Sequence, residues 1–189
     1  MSRTASAQRP EDLLDAIVGY FTKHGIADLS LRPLARAVGS SPRVLLYYFG
    51  SSDKMIDRAL ARLRERQRER YLEMPGTVPT AGAYFEIWKG MTSRESLPHF
   101  RLFFEVYGLA LRHPRRYRGF LDAAINDWLD FVDNVASRKR YGRAKSRALA
   151  TVVVSGYRGF VLDYCASGDR ARLDRAVKLW IRSLEALHK

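Results

Sequence analysis

The chain has 189 residues, 47% hydrophobic and 28% charged, with a formal net charge of +13. That length buries a sizeable core and that composition excludes disorder, while no apolar run approaches the roughly 20 residues a membrane span needs, so a soluble globular protein without a membrane partner is expected. The opening MSRTASAQRP is polar and basic with no secretory apolar stretch behind it, and the single cysteine, Cys165, excludes an internal disulfide or a cysteine-rich zinc site. Both point to the cytoplasm, with Cys165 as a small core residue. The positive balance draws the chain toward nucleic acid or an anionic surface. The excess of arginine over lysine reflects codon usage as readily as a phosphate-binding face, so charge alone decides nothing.

Helical signals run along nearly the whole sequence, and only the TVVV run at 151–154 looks strand-like, so the fold class is all-α. Leu13, Leu14, Ile17, Val18 and Phe21, three and four apart, form the apolar stripe of a first helix, which Gly25 ends after Lys23 and His24. Ser30 is placed to cap a second helix over 31–38, with Pro33 in its first turn and Gly39 closing it. In SSPRVLLYYFG, Ser41 caps and Pro42 opens a third short helix after a tight turn. Leu45 and Phe49 face inward; Arg43 and Tyr47 turn elsewhere, as do Leu46 and Tyr48. Gly50 ends it, and Ser51 or Ser52 caps the next. Two short helices across a glycine turn, with a basic and aromatic outer face, fit a helix-turn-helix for the DNA major groove; a small packed αα corner fits the same spacing.

The run SLRPLARAVGSSPRVLLYYFGSSDKMIDRAL, residues 30–60, resembles the DNA-binding segment of the TetR (tetracycline repressor-like) family of bacterial transcription regulators. Leu34-Ala35, Gly39, Ser41, Leu45, the Tyr-Tyr-Phe tail and Asp53 carry the resemblance, which covers roughly the first 60 residues. It implies a three-helix DNA-binding domain over residues 1–50 with a flexible N-terminal arm. Its DNA-binding candidates are Arg32, Ser41, Pro42, Arg43, Val44, Tyr47, Tyr48, Ser52 and Lys54. Leu46 departs from the family's usual aromatic, and Ser52 from a lysine that holds a DNA phosphate. Lys54, or the Ser52 hydroxyl with helix-end amides, takes that phosphate instead. Arg43 offers paired hydrogen bonds to guanine O6 and N7, and ordinary packing is the alternative role for the tyrosines.

From Ser51 the pattern lengthens: Met55, Ile56, Leu60 and Leu63 mark one apolar side of a helix that Pro75-Gly76 terminates. The arginines from Arg62 to Arg70 alternate with glutamates and read as a solvated face; the resemblance makes this helix a lever. Further helices fall near 80–92, 97–112, 117–137, 144–166 and 171–188. Phe85, Trp88, Phe103, Phe104, Tyr107, Trp128 and Phe131 recur on them at helical spacing. Core packing is the default for such rings, and a pocket is the sharper reading, with Glu86, Glu105 or Tyr107 adding polar contacts. The resemblance implies a small-molecule pocket, so the seven aromatics are the ligand-binding candidates. Ser155, Gly156 and Gly159 leave one helix face without bulk, and a mid-helix glycine costs about 1 kcal/mol against alanine unless helices approach closely there. Together with Val177, Trp180, Ile181 and Leu184 they are the candidate dimer interface, since the resemblance implies an intermolecular four-helix bundle; packing within one subunit would use the same glycines.

Enzyme signatures are absent: no P-loop, no paired-histidine helix and no nucleophile elbow, and His24, His99, His113 and His188 are scattered, so no catalysis, cofactor or metal is expected. The basic RKRYGRAKSR, residues 138–147, reads as a solvated loop. The expected protein is a dimeric, ligand-responsive repressor. Residues 51–189 form a helical effector-binding and dimerisation domain, and a small apolar or aromatic effector releases the dimer from a palindromic double-stranded operator. The competing readings are a constitutive architectural DNA-binding protein, and a helical ligand-binding or enzymatic protein whose N-terminal domain binds protein.

Overall fold

The computed structural model describes residues 10–72, 80–137 and 142–187, which hold nine helices and no strand. The helices are α1 (Pro10–His24), α2 (Leu31–Ala37), α3 (Pro42–Phe49), α4 (Ser52–Leu72), α5 (Ala81–Met91), α6 (Leu97–Arg112), α7 (Arg118–Ser137), α8 (Arg143–Ser167) and α9 (Arg170–Leu187). The all-α expectation holds, and the β-branched 151–154 run lies inside α8, where Val153 and Val154 are buried: tertiary packing outweighs a weak local preference. The N-terminal arm, the Pro75-Gly76 stop, the 138–141 part of the basic stretch and His188 lie outside the described residues. Among the described residues no helix is long and apolar enough to cross a membrane.

The chain divides into two compact units, Met1–Met74 with Glu105–Leu121, and Pro75–Phe104 with Asp122–Lys189. In the first unit the α1 stripe of Leu13, Leu14, Ile17, Val18 and Phe21 is buried in full, and so are Leu34 of α2, Leu45 and Phe49 of α3, and Met55, Ile56, Leu60 and Leu63 of α4. Helices α1 and α4 pack together, and their outer rims are tied by Arg62 to Asp15 at 2.9 Å and to Glu11 at 3.0 Å, with Arg66 to Asp15 at 2.7 Å. These partly exposed pairs add little individually and act mainly by fixing register.

The α1–α2 turn needs its glycine twice over. Gly25 has φ +74°, where a side chain is strained, and a Cβ there would lie 2.5 Å from the Glu105 carboxylate. Glu105 Oε1 accepts the backbone N–H of Ile26 at 2.7 Å and of Ala27 at 2.6 Å, so α6 caps the turn that leads into the helix-turn-helix.

The second unit is held by aromatic rings. Trp88 of α5 is 0% exposed, and its indole N–H donates to Asp174 Oδ1 on α9 at 2.6 Å. Arg170 reinforces that link: its Nε donates to Asp174 at 2.8 Å, its Nη1 to Thr92 at 2.6 Å, and its guanidinium lies over the Trp88 ring. The Tyr157 hydroxyl donates to the Tyr84 carbonyl at 2.6 Å. Both Trp88 and Tyr157 thus have their polar tips paired, as burial requires.

Candidate functional site

Helix α3 has only eight residues, so two inward anchors fix which side faces out. Ser41 is extended, and its Oγ accepts the Val44 N–H at 3.3 Å while Pro42 takes the first turn, so the helix starts where the sequence places it. With Leu45 and Phe49 buried, Arg43, Val44, Leu46 and Tyr47 share the outward side. Val44 and Leu46 are each 40% exposed and Tyr47 is 81% exposed. Tyr48 is half-buried, its ring edge-on to Tyr47 at 5.2 Å. Arg32 and Arg36 are exposed on α2, and Arg32 lies in its first turn.

Ser51, rather than Ser52, caps α4: its Oγ accepts the Lys54 N–H at 3.2 Å. Ser52 is therefore the first helical residue, and the Lys54 side chain is exposed in the first turn. Between them Asp53 forms an ion pair with Arg116, 63 residues further along the chain. Asp57, one turn beyond Asp53, has its carboxyl raised above the usual carboxylate range, first by partial burial and then by the charge of Asp53, with Arg116 and Arg64 opposing. The sequence singled out neither Arg116 nor the capping role of Glu105. Pairs formed across 63 and 79 residues leave no periodic trace, and the one visible sign is the density of cations in RHPRRYR, residues 112–118.

The seven ligand-binding candidates do not all share one environment. Trp88 is wholly enclosed, with Phe160 and Tyr164 edge-on to its ring. Phe85, Phe103, Phe104, Trp128 and Phe131 are half-buried in the second unit. Phe103 and Phe104 meet edge-on at 5.3 Å, as Trp128 and Phe131 do at 6.0 Å, and the Phe85 ring lies under Lys178 at 4.9 Å. Tyr107 belongs to the first unit, where its ring meets Phe120. Of the polar groups expected beside a pocket, Glu105 is committed to the α1–α2 turn, and Glu86 pairs with Lys89 on its own helix at 2.5 Å. Burial pushes the Cys165 thiol above its usual range, against the pull of Arg101.

The seven dimer candidates separate by face. Val177, Ile181 and Leu184 are buried against their own chain. Gly156 receives the Trp180 ring so closely that a Cβ there would overlap Cζ2, which makes it the close-approach point of α8 and α9 within the subunit. Ser155 and Gly159 face outward, and a Cβ at Gly159 would meet nothing within 4 Å. Beside them on α8 are Val152, 42% exposed, and Leu162, 50% exposed; on the outer side of α9 Leu179 is 68% exposed.

Residues 13–59 match the model of the tetR family of bacterial regulatory proteins. The whole fold is similar to a transcriptional regulator from Rhodococcus sp. RHA1, at 18% identity and a TM-score of 0.76 over 93% of this chain and 95% of that one. It is also similar to GusR of Salmonella enterica, at 18% identity and a TM-score of 0.70 over 96% of this chain and 97% of the other. No curated protein sequence matches the chain.

Proposed function

We propose that this chain, whose residues 13–59 match the tetR family model, is a dimeric, effector-released helix-turn-helix repressor of that family acting in the bacterial cytoplasm. The outward side of α3 carries this reading. Arg43, Val44 and Tyr47 stand exposed on a capped, two-anchor helix, which is how a recognition helix presents one guanidinium for guanine and apolar groups for thymine methyls in the major groove. Arg32, Ser41, Pro42 and Tyr48 flank it, while Ser52 and Lys54 supply phosphate contacts at the start of α4. Residues 1–50 thus read DNA, and residues 51–189 bind the effector and the partner subunit.

The partner surface is the outward side of α8 and α9. Val152, Ser155, Gly159 and Leu162 recur at spacings of three and four, Leu179 adds a large apolar group, and the small residues allow close helix approach. Val177, Ile181 and Leu184 have no area left to offer, so their part in dimerisation is to stiffen α9 from within. The half-buried rings Phe85, Phe103, Phe104, Trp128 and Phe131 give the second unit apolar surface suited to a small aromatic or aliphatic effector. Release follows if the effector prefers the arrangement that DNA disfavours, with a coupling typically of ~1–3 kcal/mol.

Selection from a randomised duplex library tests the proposal. The expected site is roughly palindromic, with half-sites about one helical turn, ~34 Å, apart or somewhat more. Arg43→Ala should cost ~1–3 kcal/mol and relax one position of the selected sequence, whereas Lys54→Ala should weaken all sequences alike. An unchanged preferred sequence in Arg43→Ala would remove the base-reading role.

A further inference from the structure

The turn between α6 and α7 carries a group of cations that the recognition helix does not explain. Arg112, Arg115, Arg116 and Arg118 are all exposed. The turn is ordered rather than a loose run of charge: Arg116 N and Tyr117 N both donate to the His113 carbonyl, at 3.1 and 3.3 Å, and Tyr117 and Phe120 are buried beneath it. Arg116 lies over the Tyr117 ring and pairs with Asp53 in the first turn of α4. That pair sets the turn beside Ser52 and Lys54, the residues on either side of Asp53.

The first unit sorts its cations. Further along α4, Arg58, Arg62 and Arg66 are matched by Glu11 and Asp15. The side chains of Arg112, Arg115 and Arg118 have no ion-pair or hydrogen-bond partner among the described residues, which they share with Arg32, Arg43 and Lys54 of the DNA-reading surface. Asp53 suits the positive end of the α4 dipole but would repel a phosphate there, and Arg116 cancels its charge.

We propose that this turn is a second DNA-backbone site, in which Arg112, Arg115 and Arg118 bind phosphates of the duplex flanking each half-site. The inference rests on the DNA-binding reading above and extends the contact beyond the helix-turn-helix. Guanidinium–phosphate contacts carry no base information, so they lengthen the footprint and steepen salt dependence without changing the preferred sequence.

The test uses the full chain and its selected operator, in one duplex with long flanks and one trimmed to the half-sites, across a salt series. The variant Arg112→Gln/Arg115→Gln/Arg118→Gln keeps Arg116, and Arg94→Gln/Arg143→Gln/Arg175→Gln removes the same charge from the second unit. On the long duplex the first variant should flatten log K against log salt by about 0.9 for each phosphate it no longer neutralises. It should match wild type on the trimmed duplex, with the selected sequence unchanged, and the second variant should behave as wild type on both. A wild-type slope in the first variant, or an equal change in the second, overturns the proposal. If the first variant keeps the wild-type slope while Arg43→Ala still relaxes base preference, only the flanking site fails; if wild type selects no sequence at all, the DNA-binding reading fails with it.

Discussion

Both compact units bury aromatic rings, and they differ in which aromatic side chain they leave outside. The first buries Phe21, Phe49, Tyr117 and Phe120 among many aliphatic side chains, Leu13, Ile17, Leu34, Leu45, Met55 and Leu60 among them, and holds Tyr47 out on α3. The second places rings inside: Tyr84, Trp88 and Tyr157 are buried, and Trp180 packs edge-on to Tyr157 at 5.0 Å and against Gly156. A buried Trp or Tyr is committed to packing and to a hydrogen bond at its polar tip, as Trp88 and Tyr157 are, while an exposed ring such as Tyr47 is bound by neither. The same residue type at the same helical spacing therefore means different things in the two units.

The contrast breaks most directly at Trp88. Trp88→Ala should destabilise the fold by ~3–5 kcal/mol, because a fully enclosed indole leaves a cavity, whereas half-buried Trp128→Ala should cost clearly less. Urea unfolding of both compares them, and equal costs would deny the second unit its aromatic core. Next come the two glycines of α8. Gly156→Ala should lose ~1–3 kcal/mol by forcing Trp180 aside, partly offset by alanine's better helix propensity, as the urea midpoint would show. Gly159→Leu should leave the subunit's helicity intact and move sedimentation toward monomer, with operator affinity falling as two linked half-sites become one. A normal dimer from Gly159→Leu would place the partner surface elsewhere.

Glu105→Gln sharpens the comparison at the first unit. Replacing a charged acceptor of two amide N–H groups by a neutral one should cost about 1 kcal/mol and weaken operator binding at unchanged sequence preference. Tyr47→Ala should change folding stability by less than about 0.5 kcal/mol, as expected of an exposed side chain, and still reduce operator affinity. The smallest effect is at Asp57. Its carboxyl is raised in the folded state, so protonation favours folding in acid and that contribution is lost as pH rises through the folded value. Asp57→Asn should therefore stabilise slightly at neutral pH, by under about 0.5 kcal/mol for so solvated a group, with the gain vanishing in acid, as urea midpoints at the two pH values would show.

Much of this arrangement is legible along the chain because its signals are local. Ser41, Pro42 and Gly50 act within one turn of themselves, so both ends of α3 and its inward pair Leu45 and Phe49 follow from a dozen residues. The stripes of α1 and α4 and the span of α6 follow from periodicity in the same way. Between Ser51 and Ser52 the sequence offers two equivalent caps, and only the Lys54 N–H bond selects the first.

The sequence by itself determined nine helical stretches, the cap of α3 and which side of α3 faces outward, since backbone hydrogen bonds and side-chain period operate over three or four residues. Tertiary structure alone decided what each apolar stripe is buried against. The α9 stripe of Val177, Ile181 and Leu184 closes on its own chain, Gly156 receives Trp180 while Gly159 three residues on faces out, and Glu105 and Arg116 reach back to Ile26, Ala27 and Asp53. Hydrophobic burial is non-directional, so a stripe states that a face must leave water without naming the surface that takes it, and that choice is made only when distant segments meet.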